Sequence, residues 1–108
     1  MKIGFIKEAH RSDKNGNPAG GETVGTGLTI VWQDGPLGSG NERKEPNGAF
    51  VEDVIQAAIG RLEFYQLSKF ACDENAEALS ALRGAAQVLD NRTRRRVEAQ
   101  TEGTHQGN

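Results

Sequence analysis

Four arginines in five positions, Arg92-Thr93-Arg94-Arg95-Arg96, make the densest run of charge in the sequence. On a helix, Arg92, Arg95 and Arg96 share one broad face, because residues three and four apart are neighbours. Guanidinium forks bind phosphate oxygens in pairs, so this face suits a phosphorylated ligand. The same residues carry a second reading: cations near a helix C-terminus complement the macrodipole and remain solvated. Asn75 stands one turn before Leu79, on the seam that Leu79 and Leu82 continue. An amide on an apolar seam must find partners. It either fixes the register of two helices, as buried asparagines do in coiled coils, or reads the edge of a base or ribose.

Other candidates are more isolated. Gly20-Gly21-Glu22-Thr23-Val24-Gly25-Thr26-Gly27 is rich in glycine, but no Gly-Lys-Ser/Thr follows and no helix opens after it. It reads as a flexible hairpin connection in preference to a phosphate cradle. Arg11 is a cation just before this stretch, in a turn-rich segment. Trp32, Phe64, Tyr65 and Phe70 are either core or stacking groups. For catalysis the residues offer little. His10 and His105 lie in polar segments at opposite ends of the chain, and no Ser-His-Asp or Cys-His arrangement is suggested. Two histidines without an acidic cluster argue against a metal site. Cys72 is the sole cysteine, which excludes an intramolecular disulfide and fits a reducing compartment. A non-enzymatic binding protein without metal or cofactor is the expectation.

Elements must position these residues. Lys2–Lys7, K-I-G-F-I-K, is a short β-prone run, and Leu28–Gln33, L-T-I-V-W-Q, is the strongest strand. Asp34-Gly35-Pro36 ends it. The two strands are expected to pair antiparallel, joined by the turn-rich stretch His10–Gly27. Val51, Val54, Ile55, Ala58, Ile59 and Leu62 then follow the pattern of one buried helical face, predicting a helix over about 49–67. After a connector at 68–72, Asp73 and Glu74 favour a second helix start. That helix runs to about Ala99, with a seam of Leu79, Leu82, Ala86 and Leu89. The short connector makes the helices neighbours. The fold is therefore read as α+β, a short antiparallel β-sheet in the N-terminal half followed by a long antiparallel helix hairpin. One domain is expected, with sheet and loops over 1–46, hairpin over 47–100 and a polar tail over 101–108.

The bulk composition sets limits. With 108 residues, 35% hydrophobic content and a mean hydropathy of −0.63, the core is lean and gains from self-association. A net charge of −2 gives no long-range attraction for nucleic acid, so a nucleic-acid-binding protein using Arg92–Arg96 is the weaker alternative. No apolar run is long enough for a membrane span, and no signal-peptide core follows Met1.

Several blocks together resemble a known family. Phe70-Ala71-Cys72-Asp73-Glu74-Asn75-Ala76, Leu79, Leu82, Arg92–Arg96 and Glu102-Gly103-Thr104-His105 are similar to the hairpin domain of phage anti-defence nucleotide sponges. Trp32–Pro36 and Asn47-Gly48 add to this likeness to the Thoeris anti-defence sponge and, more distantly, the anti-CBASS sponge. The resemblance covers roughly 32–105. It implies sequestration, without cleavage, of cyclic ADP-ribose isomers made by bacterial TIR-domain proteins. Cyclic di- and trinucleotides are implied as further ligands. The same resemblance implies a homo-oligomer, from dimer to hexamer, in the cytoplasm of the infected host. It assigns ligand contact to Asn75, Arg92 and Tyr65, with Arg11, Arg96, Gly103 and Thr104 as further candidates.

Overall fold

The structure, a computed structural model, describes residues 4–38 and 40–101. Three strands, β1 (Phe5–Ser12), β2 (Pro18–Gly25) and β3 (Leu28–Asp34), form an antiparallel sheet in the order β1-β2-β3. A 3-10 turn at Gly40–Glu42 precedes two helices, α1 (Val51–Gln66) and α2 (Asp73–Thr101). The backbone divides into two compact units between Val51 and Glu52. The α+β class and the hairpin agree with the sequence reading.

The glycine-rich stretch departs from it. Most of that stretch is β2, the central strand. Flanking strands on both sides supply the hydrogen bonds that its low propensity cannot guarantee, a tertiary effect that local composition does not register. Gly21 shows why glycine is needed there. It has φ of 143°, and a Cβ would lie 2.1 Å from the Ala9 carbonyl oxygen. β1 also runs further than expected, through His10 and Arg11, into a turn organised by Asp13. The Asp13 carboxylate accepts the Asn15 and Asn17 amides at 2.8 and 3.0 Å. These two bonds, Asn17's first, hold its pKa below the usual carboxylate value.

A polar latch follows β3. The Asp34 amide donates to Asn47 Oδ1 at 2.8 Å, and Asn47 Nδ2 donates to the Asp34 carbonyl at 3.0 Å. Gln33 Oε1 accepts the Asn47 and Gly48 amides at 3.0 and 3.2 Å. Ala49 then pairs with β3 through its own amide and carbonyl, 2.7 and 2.9 Å from their partners on Val31 and Gln33. Gly48 is required at this edge because a Cβ would stand 2.6 Å from the Trp32 carbonyl. Between β2 and β3, Trp32 Nε1 donates to Thr23 Oγ1 at 2.9 Å, which satisfies the hydroxyl of a threonine only 4% exposed.

In the hairpin, Ile59 and Leu79 are the buried apolar side chains among the described residues. Val54, Ile55 and Leu62 of α1 and Leu82, Ala86 and Leu89 of α2 are half-buried. Val51 and Ala58, expected on the buried face, are exposed. One helix neighbour covers only a narrow stripe, so the edges of each apolar face remain open. The connector is closed by Gln66, whose side-chain amide accepts the Cys72 amide at 3.0 Å and donates to the Cys72 carbonyl at 3.2 Å. Two ion pairs show the antiparallel register: Arg83 Nη2 lies 2.7 Å from Glu63 Oε2, and Arg92 Nη2 lies 3.7 Å from Glu52 Oε2.

Candidate functional site

The connector end of the hairpin gathers the aromatic side chains of Phe64, Tyr65 and Phe70. Tyr65 packs edge-on to Phe70, with ring centroids 6.5 Å apart, and obliquely to Phe64 at 6.2 Å. The Arg61 guanidinium sits 4.9 Å from the Phe64 centroid and 5.1 Å from that of Tyr65, within cation–π range of both. Phe64 and Phe70 are 54% and 71% exposed, so this corner offers open aromatic surface. Asn75 is held beside it, half-buried, donating from Nδ2 to the Phe70 carbonyl at 3.2 Å. The amide on the seam thus serves the connector, and its Oδ1 is left as an acceptor.

Arg92 lies elsewhere. It continues the α2 seam and is the half-buried member of the arginine cluster, whereas Arg94, Arg95 and Arg96 are exposed. Arg94 is tied to Asp90 one turn back at 3.0 Å. Arg95 and Arg96 make no ion pair among the described residues. From Asn75 to Arg92 is 17 residues of continuous helix, a separation of about 25 Å at 1.5 Å per residue. The hairpin brings Tyr65 and Asn75 together and keeps Arg92 and Arg96 apart from them.

Between the helices lies a groove of about 510 Å³. Its lining is mainly anionic, with Glu52, Glu63 and Asp90 against the single cation Arg83. A phosphorylated ligand entering it would meet like charge, so the groove is not the natural seat for one.

In the sheet unit, Arg11 has the partner that helical spacing could not reveal. Glu22, opposite Ala9 on β2, pairs with Arg11 Nη2 and with Lys7 Nζ at 3.2 Å. Arg11 first, then Lys7, lowers the Glu22 pKa from the ordinary carboxylate value. Two cations on one carboxylate leave the cluster net positive. Gly103 and Thr104 lie outside the described residues. Among the described residues no group of three or more His, Cys, Asp or Glu side chains could hold a metal, and no helix is long and apolar enough to cross a membrane.

Residues 27–94 match the family model of the Acb2/Tad1 hairpin domain, from the start of β3 into the arginine cluster. The chain belongs to the Acb2/Tad1 hairpin-domain family. It is also 38% identical over 78 residues to Thoeris anti-defense 1 of Bacillus phage SBSphiJ7, an overlap of 72% of this chain and 52% of that relative. The chain thus spans about half the length of the relative it matches. The Acb2/Tad1 match includes Tyr65, Asn75 and Arg92, while Arg11, Arg96, Gly103 and Thr104 fall outside it. It also includes Gln33, Asn47 and Gly48, which the fold uses for the latch.

Proposed function

We propose that the chain is an anti-defence sponge that binds a cyclic ADP-ribose isomer in the cytoplasm of an infected bacterium and holds it uncleaved. Cyclic di- or trinucleotides are candidate ligands of separate sites. Arg92 and Arg96 contact phosphate, Asn75 reads a base or ribose edge, and Tyr65 stacks on a base. Arg11, Gly103 and Thr104 are further contacts in this reading. The 25 Å separation carries the argument. One small cyclic nucleotide cannot span Asn75 and Arg92 of the same hairpin, so a ligand that uses both lies between protomers. A homodimer is the smallest such assembly, and a hexamer is the family expectation. In a two-fold dimer the composite site occurs twice. The exposed apolar residues Phe64, Leu67 and Phe70, 54%, 90% and 71% exposed, support self-association.

Complementation tests this reading. Arg92→Ala weakens binding of cyclic ADP-ribose isomers about tenfold or more, the worth of one charge-assisted hydrogen bond, and Asn75→Ala weakens it about two- to tenfold, the worth of a neutral one. Arg94→Ala, about 200° around the helix from Arg92, binds almost normally. Co-expressed and purified through two tags, the Asn75→Ala and Arg92→Ala chains form mixed assemblies in which one site has both native residues. Calorimetry then recovers a share of the tight sites, and the ligand is released intact on heating. No recovery in mixed assemblies rules out a composite site, and a hydrolysed product rules out a sponge.

A further inference from the structure

The Arg92 guanidinium is not presented empty. Glu52, in the first turn of α1, stands 3.7 Å from Nη2 by one carboxylate oxygen, inside ion-pair range but beyond hydrogen-bond length. Arg92 Nε is buried and has no hydrogen-bond partner. The other cross-hairpin pair differs: Arg83 meets Glu63 at 2.7 Å, a short charge-assisted hydrogen bond. One arginine is therefore hydrogen-bonded to its carboxylate and the other is only neutralised. Glu52 and Arg92 are also comparatively shielded, with side chains 34% and 43% exposed, against 51% and 56% for Glu63 and Arg83. Coulomb interaction between them is accordingly less screened.

We propose that Glu52 is a specificity-determining residue of the Arg92 site: a place-holding carboxylate that an incoming phosphate must displace or outweigh. The inference rests on the proposed role of Arg92. A monodentate carboxylate with a stretched contact neutralises the guanidinium without completing its fork. A phosphate group brings more oxygens and more negative charge, so it can replace the long Glu52 contact at Nη2 with a charge-assisted hydrogen bond. A neutral nucleoside or a single weak anion gains too little to replace Glu52. The ion pair thus sets a threshold of charge density for occupancy. Removing the Glu52 charge strengthens anion binding, the opposite sign from removing any contact that supports the ligand.

The test follows the Arg92 Nε–H resonance while the full-length protein is titrated with inorganic pyrophosphate, with Glu52→Gln as the variant and Glu52→Asp as the charge-retaining control. In the native chain the resonance moves and saturates. In Glu52→Gln it saturates at about fivefold lower pyrophosphate, the upper end for a half-exposed ion pair. Glu52→Asp stays near the native midpoint, and adenosine, which has no phosphate, moves the resonance in none of the three. Equal midpoints for the native chain and Glu52→Gln, or a higher one for Glu52→Gln, overturn the role of Glu52 while leaving Arg92 as an anion contact. A resonance unmoved by pyrophosphate in every variant overturns both.

Discussion

In the sheet unit polar side chains find partners within a short stretch of chain: Gln33 with the Asn47 and Gly48 amides, Asp13 with its own turn, Trp32 with Thr23. The hairpin unit leaves more undone. Among the described residues both units leave large apolar side chains open, Ile6 and Val31 in the sheet unit and Leu67 and Phe70 in the hairpin, but it is in the hairpin that a guanidinium nitrogen, Arg92 Nε, is buried without an acceptor. The contrast separates a part whose buried polar side chains are satisfied from a part in which one is not. The lesson is that unsatisfied groups, more than motifs, mark where a small binding protein meets its ligand or its own copies.

The largest effect is expected from Gly21→Ala. The Cβ would collide with the Ala9 backbone at a positive φ, so the sheet loses about 3 kcal/mol or more, while the helical circular-dichroism signal persists. Equal loss of both signals would mean that the hairpin depends on a finished sheet. Leu79→Ala acts on the other side. A leucine 6% exposed costs about 2–4 kcal/mol when truncated, read as a lower helical melting temperature. A melting temperature that also rises with protein concentration would show association adding to the stability of the hairpin. The smallest effect is electrostatic. The lowered Glu22 pKa means that its pairing with Arg11 and Lys7 is fully present above the ordinary carboxylate value of about 4.5 and is lost as pH falls through the lower folded value. Urea midpoints followed by tryptophan fluorescence should fall across that acidic window, and Glu22→Gln should flatten the fall. An unchanged slope would detach Glu22 from the stability of the sheet.

Residues whose partners are near in sequence were legible early. The α2 seam, the Asp73 start and the connector followed from apolar spacing and acidic first-turn residues, with boundaries within two residues of the structure. β2 was not legible, because Gly20 and Gly21 read as turn until two neighbouring strands are known. The Arg11–Glu22 pair likewise needs the antiparallel register of β1 and β2. Arg61 was missed although a signal existed: it precedes Phe64 and Tyr65 by three and four residues, the spacing that places a cation over a ring on a helix. Glu52 could not be found from spacing at all, since it meets Arg92 across the hairpin, 40 positions away.

The Gln66 clamp on Cys72 carries a mechanical consequence. It holds the bend with a neutral amide that mimics a peptide pairing, so neither salt nor mild acid weakens it. The rungs beyond it, Glu63–Arg83 and then Glu52–Arg92, are ionic and progressively longer. The hairpin is thus built like tweezers, with a spring that ions do not touch and tips that they loosen, and Arg92 stands at the tips.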